Sequence, residues 1–295
     1  MTVTVLELIE TSAAQFEAAG LTFENGFGQG TTNAFDEAAW LVLWQLGLPL
    51  DDLDSVSNRP VAEAERAQVA TLLGARIATR QPAAYLTHEA WLMGVPFYVD
   101  ERVIIPRSFI AELLVDESID PWLGEDTKRM LDLCTGNGSL AVLAAMTYPD
   151  VTVDAADISA DALAVARINV DKHALSSRIT LIESDGLAAC CGKYDLILCN
   201  PPYVNAASMA ALPAEFKAEP ALALGGGTDG MDFIRSLFLT AAAHMSENAV
   251  LVLEIGNERN NYEHAFPQLE PLWFETSAGS DQVMLITREQ LDSGF

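Results

Sequence analysis

From Lys128 to the end of the chain, short apolar segments alternate with segments of helical periodicity, and this alternation limits the possible folds most strongly. The predicted strands are 130–133, 151–156, 179–182, 194–199 and 250–255, with two more near Trp273 and at 282–287. The predicted helices are 139–147, 160–173, 231–244 and 261–268. Such alternation is typical of an α/β domain. We therefore predict a parallel, doubly wound sheet whose ligands bind beyond the carboxyl ends of its strands.

The first part of the chain has a helical pattern instead. Apolar residues recur at helical spacing in residues 6–16, and Asn33 is a candidate cap for a second helix that ends at Gly47. A third predicted helix ends before Pro82, because proline cannot continue it. Residues 1–83 are therefore predicted to form a small helical domain.

A segment of different character joins the two patterns. Aromatic and β-branched residues flank Met93-Gly94, and this composition predicts a β-hairpin within residues 84–105. The α/β domain then occupies residues 106–295.

The first predicted strand leads into a glycine loop. We expect Gly136 and Gly138 to let backbone amides approach a ligand, because a side chain there would occupy the space that the ligand needs. Asp157 ends the next predicted strand, where a carboxylate accepts hydrogen bonds from the hydroxyls of a ribose. Together these features predict a nucleoside site.

Two nucleoside cofactors fit this loop. Gly136, Gly138 and Ala141 also match a dinucleotide fingerprint, so a nicotinamide enzyme is an alternative. Asp132 favours S-adenosylmethionine, because its charge suits the ammonium group of a methionine moiety and repels a pyrophosphate. Asp185, after the third strand, has two interpretations: a partner for the adenine amino group or a loop-capping residue.

The strand at 194–199 ends in Asn200-Pro201-Pro202-Tyr203. An amide nitrogen is a poor nucleophile, since its lone pair is delocalised, and an enzyme must orient it. The Asn200 side-chain carbonyl and the Pro201 backbone carbonyl are suited to accept its two N–H bonds, while the prolines stiffen the backbone and Tyr203 stacks on a planar target. This turn predicts an amide or amino methyltransferase.

Several motifs together resemble the protein-glutamine methyltransferase family. They are Asn200–Tyr203, the loop 132–138, Arg80-Gln-Pro-Ala-Ala-Tyr-Leu86, Val103-Ile-Ile-Pro-Arg-Ser108 and Gly226-Gly-Thr-Asp-Gly230. The resemblance covers almost the whole chain. It implies a Rossmann-like, seven-stranded methyltransferase domain that uses S-adenosyl-L-methionine, preceded by a helical substrate-recognition domain and a connecting hairpin. It also implies methylation of a glutamine side-chain amide in a translation protein.

The resemblance also assigns residues. The implied target-binding residues are Asn200, Pro201, Pro202 and Tyr203, and the implied cofactor-binding residues are Asp132, Thr135, Gly136, Asn137, Gly138, Asp157, Ile158, Asp185, Gly186 and Asn200. Ser108-Phe109-Ile110 after Pro106-Arg107 is similar to the branch that acts on ribosomal protein uL3. Methylation of release factors is the nearest alternative, and an amino-methyltransferase for nucleic acid is the next.

The charge balance bears on the partner. The chain has 42 acidic and 16 basic residues, a formal net charge of −26, and such a protein repels phosphate backbones. We therefore expect no direct contact with nucleic acid. The acidity either serves solubility or attracts a basic partner, and the resemblance makes that partner a ribosomal protein.

The sequence also bears on the compartment and on metals. It has no apolar run long enough for a bilayer and no basic start typical of a signal peptide, so we expect a cytoplasmic enzyme. The four cysteines and four histidines are scattered, and no metal site is expected.

Overall fold

The computed structural model describes residues 3–23, 25–27, 30–213 and 215–294. Residues 1, 2, 24, 28, 29, 214 and 295, which the predicted domains include, lie outside the described residues. The chain forms two compact units. Unit 1 comprises Met1–Ala90, Val99–Glu101 and Leu212–Glu219, and unit 2 comprises Trp91–Tyr98, Arg102–Ala211 and Pro220–Phe295.

Unit 1 is helical. Its helices are α1 (Val5–Ala18), α2 (Ala34–Leu46), α3 (Leu53–Val56), α4 (Glu63–Thr79) and α5 (Ala83–Thr87). The Asn33 side chain caps α2 by accepting the N–H of Asp36 at 2.9 Å, and Gly47 ends it with φ +62°. The three predicted helices are confirmed as α1, α2 and α4. Helices α3 and α5 are too short to produce a periodic pattern.

The helices of unit 1 share an apolar core. Val5, Ile9 and Phe16 lie on one face of α1 and are buried, because their spacing places them on the same side of the helix. They belong to one cluster with Leu41 of α2 and Val69 of α4. Unit 1 therefore has a hydrophobic core of its own.

Unit 2 contains a seven-stranded sheet. Its strands are β3 (Arg129–Leu133), β4 (Thr152–Asp157), β5 (Ile179–Glu183), β6 (Tyr194–Cys199), β7 (Met245–Glu254), β8 (Leu272–Thr276) and β9 (Gly279–Thr287). Their order in the sheet is β5-β4-β3-β6-β7-β9-β8. The seven-stranded, Rossmann-like α/β prediction is confirmed.

One strand corrects the prediction of a wholly parallel sheet. Strand β9 pairs antiparallel with both β7 and β8. The connection from Thr276 to Gly279 is too short for a crossover helix, so β8 and β9 must form a hairpin. The sheet is therefore mixed, with its parallel part running from β5 to β7.

Helices cover both faces of this sheet. In unit 2 they are α6 (Ile110–Val115), α7 (Ser139–Thr147), α8 (Ala160–Lys172), α9 (Ala206–Ala211), α10 (Asp232–His244), α11 (Arg259–Ala265) and α12 (Arg288–Gly294). Successive residues of β6 point to opposite faces, so Leu196 and Leu198 belong to one apolar cluster and Ile197 to the other. Burial on both faces explains why these strands read as continuous apolar runs.

The predicted hairpin is present but shorter than its segment. Strands β1 (Ala90–Leu92) and β2 (Val95–Phe97) pair with each other, and Met93 and Gly94 form the turn with φ +50° and +75°. Positive φ at both positions is typical of two-residue hairpin turns. Tyr85, predicted within this segment, lies instead in helix α5, where it is buried.

Three further findings concern the described residues only. No helix among them combines the length and apolar character that crossing a membrane requires. They contain no group of three or more His, Cys, Asp or Glu side chains suited to hold a metal ion. Cys134, Cys190, Cys191 and Cys199 are free thiols.

Candidate active site

The strand order of unit 2 reverses at β3. This strand pairs with β4 on one side and with β6 on the other, and Leu133 is the register partner of Cys199. The two parallel strands therefore end side by side at the same edge of the sheet. The glycine loop follows β3, and the turn Asn200-Pro201-Pro202-Tyr203, called the Asn200 turn below, follows β6. The loop and the turn are neighbours for this reason.

A cavity of about 200 Å³ lies beside these loops. The predicted site residues that line it are Thr135, Gly136, Asn137, Asp157, Ile158, Asp185, Gly186, Asn200 and Pro202. Asp132, Gly138, Pro201 and Tyr203 are not among the lining residues. The loops after four successive parallel strands thus meet at one site, as the alternation in the sequence predicts.

The glycine loop has an unusual backbone. Cys134, Gly136 and Gly138 have φ of +62°, +55° and +81°. A Cβ at Gly136 would meet no atom within 4 Å, whereas one at Gly138 would lie 3.2 Å from the Cβ of Ala166 on α8. The positive φ and the close approach of α8 both favour glycine at position 138. The expected role of the two glycines in leaving room for a ligand stays a prediction.

Asp132 is buried at the start of the loop. Its Oδ2 accepts hydrogen bonds from the Thr135 hydroxyl and from the N–H of Ala141, the latter at 2.9 Å. Its Oδ1 is buried without a partner among the described residues. Burial raises the pKa of this carboxyl to about 7. A cationic group would satisfy the unpaired oxygen, so the residue fits the predicted ammonium group.

Asp157 lies at the end of β4 and lines the cavity. Its Oδ2 accepts the N–H of Gly136 and its Oδ1 accepts the N–H of Ser159, both at 2.9 Å. Burial raises its pKa, although these amides favour the charged form. Each carboxylate oxygen has a second lone pair, so the residue both holds the loop and keeps acceptors for ligand hydroxyls.

Asp185 is exposed in the loop after β5, and Gly186 follows it with φ +54°. The Ser184 hydroxyl donates to the carbonyl of Gly186 at 2.8 Å and accepts the N–H of Ala189 at 2.9 Å. The loop is therefore fixed by Ser184, and Asp185 keeps its carboxylate at the cavity. Its contact with an adenine stays a prediction.

Asn200 begins the turn after β6 and is half-buried at the cavity. Its carboxamide forms no hydrogen bond with the residues that the structure describes, so its oxygen is an acceptor for a ligand. The Tyr203 hydroxyl donates to Glu254 Oε1 at 3.3 Å. The predicted stacking of Tyr203 on a planar target stays a prediction.

Glu254 is a functional candidate that the sequence reasoning missed. It ends β7 and is 1% exposed. Its Oε2 accepts the Ser108 hydroxyl at 2.6 Å and the N–H of Phe109 at 2.9 Å, so it joins the cavity-lining segment before α6 to Tyr203. Burial raises its pKa. A carboxylate at the end of a predicted parallel strand was the available signal.

The glycine-rich segment 225–230 packs against the Asn200 turn. A Cβ at Gly226 would lie 2.7 Å from the Cα of Tyr203, and Val204 N donates to the carbonyl of Leu224 at 2.8 Å. Asp229 pairs with Arg235, which lowers the Asp229 pKa, and accepts the N–H of Met231 near the start of α10. Asp229 therefore stabilises a helix start.

The site combines three chemical properties. Behind the glycine loop lies a buried acid with an unpaired oxygen, and the cavity itself is lined by carboxylates suited to hydroxyls and by an amide acceptor on a stiff turn. Such a set fits a cationic nucleoside beside a group that carries N–H bonds.

Comparisons with known proteins agree with this reading. Residues 111–227 match the family model described as methyltransferase small domain. The chain is 50% identical over 293 residues to a ribosomal protein uL3 glutamine methyltransferase of Bordetella pertussis, covering 98% of this chain and 97% of that protein. It is 49% identical over 290 residues to the protein of the same name from Neisseria meningitidis serogroup A, covering 98% and 94%. The hMettl16 catalytic domain, solved with an RNA hairpin, shares the fold at a TM-score of 0.51 and 13% identity, over 78% of this chain and 84% of that one.

Proposed function

This chain belongs to the family of ribosomal protein uL3 glutamine methyltransferases, and we propose that it transfers a methyl group from S-adenosyl-L-methionine to a glutamine side-chain amide of uL3. The methyl group is carried on a sulfonium, which makes it an electrophile for the amide nitrogen. The residues of this chain have two tasks: to hold the cofactor and to orient the amide.

Four elements of the site are assigned to the cofactor. The unpaired oxygen of Asp132 receives the ammonium group. The loop of residues 135–138 borders the cofactor with Thr135, Gly136 and Asn137, and its conformation is fixed because the N–H groups of Thr135, Gly136 and Gly138 donate within the protein. Asp157 accepts the ribose hydroxyls. Ile158 and Gly186 border the base, and Asp185 accepts its amino group.

The Asn200 turn is assigned to the glutamine. The Asn200 side-chain carbonyl and the Pro201 backbone carbonyl accept the two amide N–H bonds, which turns the nitrogen lone pair toward the methyl group. Pro201 and Pro202 restrict the backbone, so the turn loses little conformational entropy when it binds the amide. Tyr203 anchors the turn through its hydroxyl.

One observation carries the proposal. The Asn200 carboxamide lies at the same cavity as Asp157 and the glycine loop, and the described residues leave it without a hydrogen-bond partner. The carboxamide is half-buried and faces the cavity, so a target amide can replace water as its hydrogen-bond partner. A target amide at this position completes the site.

The partner and the other parts of the chain are assigned on the same basis. We propose that residues 1–83 recognise the protein substrate, that residues 84–105 link the domains, and that residues 106–295 carry the catalytic site. The substrate is a basic protein, met in the cytoplasm before or during ribosome assembly, and direct contact with nucleic acid is not required. The acidic surface favours such a substrate.

A methyl-acceptor assay tests this function. Purified enzyme and labelled cofactor are offered uL3, a release factor and RNA in separate reactions, and products are located by mass spectrometry. We expect one methyl group on a glutamine of uL3. Label on the release factor or on RNA, with uL3 unlabelled, would contradict the substrate assignment.

A further inference from the structure

The turn after β7 contacts the Asn200 turn at two points, both on Tyr203, and contacts Asn205 just after it at a third. We call residues 254–258, Glu-Ile-Gly-Asn-Glu, the β7 turn. It is closed by a hydrogen bond from the N–H of Glu258 to the carbonyl of Ile255 at 3.2 Å, and the N–H of Ile255 donates to the carbonyl of Gln282 at 2.8 Å. The β7 turn is therefore fixed to the neighbouring segment of β9, which lies between β7 and β8 in the sheet.

Glu254 makes the first contact. Its carboxylate accepts hydrogen bonds from Tyr203 and from Ser108, so one buried group sets the distance between two segments that border the cavity. A buried carboxylate costs free energy, and apolar residues of similar volume often stabilise a core equally well. Three groups donate to it, namely the hydroxyls of Tyr203 and Ser108 and the N–H of Phe109. This number of donors indicates that Glu254 positions the two segments.

Gly256 makes the second contact. It has φ +53°, and a Cβ on it would lie 2.5 Å from Cε2 of the Tyr203 ring. No real Cβ contact is this short, so a side chain here must displace the ring. The absence of a side chain at Gly256 therefore fixes how closely Tyr203 approaches the β7 turn.

Glu258 makes the third contact. It is 7% exposed, and its Oε1 accepts the Asn205 side-chain amide at 2.6 Å. Asn205 in turn accepts the N–H of Ser208 at 2.9 Å, near the start of α9. This contact holds the chain on the C-terminal side of Tyr203, whereas strand β6, which ends at Cys199, holds it on the N-terminal side.

We propose that the β7 turn is the template that positions the Asn200 turn, with Glu254, Gly256 and Glu258 as positioning residues that act through Tyr203 and Asn205. None of the three lines the cavity. The template sets where the Asn200 and Pro201 carbonyls lie, and so the angle at which the amide is presented. The catalytic part of this inference rests on the proposed function.

The test compares Gly256→Ala with Gly94→Ala. Both glycines have positive φ, so both variants carry the same kind of backbone strain, but a Cβ at Gly94 meets no atom within 4 Å. We expect Gly256→Ala to lower kcat for uL3 methylation by roughly 10- to 100-fold, because about 1 Å of misplacement has this effect. The dissociation constant for S-adenosylmethionine should stay within about threefold, since the glycine loop is unchanged. Gly94→Ala should keep both constants near wild type.

A second measurement separates this inference from the proposed function. Hydrogen–deuterium exchange of residues 200–211 should be faster in Gly256→Ala than in Gly94→Ala, whatever the substrate. Equal exchange and equal kcat in the two variants would overturn the template. If wild-type enzyme leaves uL3 unmethylated, the proposed function fails while the exchange result still decides this inference.

Glu254→Gln is the alternative if Gly256→Ala does not fold, since it keeps the side-chain volume. Its effect on kcat should be less than additive with that of Tyr203→Phe, because the first change weakens and the second removes the same hydrogen bond between residues 203 and 254. Full additivity would contradict an action through Tyr203.

Discussion

At the scale of single residues, Asp132 shows how burial prepares a group for its ligand. Folding removes the carboxyl from water, and its pKa rises to about 7 from its ordinary value of 3.8. The folded protein therefore binds a proton that the unfolded chain releases between these two pH values. The protonated Asp132 therefore contributes to the free energy of unfolding fully below about pH 3.8, and this contribution is lost as pH rises through about 7.

Cofactor binding should reverse that preference. An ammonium group pairs with the ionised carboxylate, so we expect the affinity for S-adenosylmethionine to fall about tenfold from pH 8 to pH 6. Isothermal titration calorimetry across this range measures it. Asp132→Asn should bind more weakly and lose the pH dependence. An equal pH profile in both proteins would show that Asp132 does not hold the ammonium.

Residue-level features were predictable where the chemistry is local. Asn200 and Gly136 stand within short motifs, and each motif carries its own physical reason. Glu254 was missed because its partners, Ser108 and Tyr203, are 146 and 51 residues away in sequence. Only the sheet order brings them together, and the order was not derivable from any one segment.

At the scale of elements, a buried ionic cluster joins the helices of unit 1. Arg76 of α4 is fully buried, and its Nε donates to Glu37 of α2 at 2.8 Å. Its other nitrogens donate to the carbonyl of Gly26 and, at 3.5 Å, to Glu215. Burial raises the pKa of Glu37, although Arg76 favours its charged form. The cluster is therefore stable only while its charges stay matched.

Removing one member should be costly. We expect Arg76→Ala to lower the free energy of unfolding by about 3–5 kcal/mol, because the buried Glu37 loses its ion-pair partner and Glu215 keeps only Arg80. Urea unfolding measures this. Arg66→Ala in the same helix is the matched control, since Arg66 pairs with an exposed Glu63 and should matter little. Similar losses in the two variants would contradict a special role for the buried cluster.

Elements with strong periodicity were predicted, and those set by long-range pairing were not. Helices α1, α2 and α4 and the strands β3 to β7 follow from spacing and apolar runs. The reversal of β9 follows from its short connection to β8 and from its pairing with β7, and neither is visible in the apolar pattern of β9 itself. Likewise, α5 has five residues, which is fewer than two helical turns. Its apolar residues are too few to distinguish a helix from an extended segment, and for this reason Tyr85 was placed in the hairpin segment.

At the scale of the whole molecule, the net charge of −26 determines which partners the protein attracts over long distances. Many of the described arginines are neutralised in ion pairs, among them Arg59, Arg76, Arg80, Arg129 and Arg235. These pairs leave the acidic excess of the sequence unchanged, so the field of the protein is acidic and attracts basic partners over a few nanometres at low salt.

This field should accelerate encounter with uL3. We expect the association rate, measured by stopped flow, to fall as ionic strength rises from roughly 0.01 to 0.15 M, where the screening length shrinks from about 30 to 8 Å. A glutamine peptide of zero net charge is the control and should show little change. An association rate for uL3 that ignores salt would leave the acidity with a role in solubility alone.

The grip of Asn200 on the target amide is tested most directly by Asn200→Ala in a single-turnover reaction. With enzyme and cofactor in excess over uL3, the rate of methyl transfer should fall by on the order of 100- to 1,000-fold, because one preorganised partner of the amide is lost. The dissociation constant for S-adenosylmethionine should change little. A variant that methylates uL3 at the wild-type rate would contradict the account.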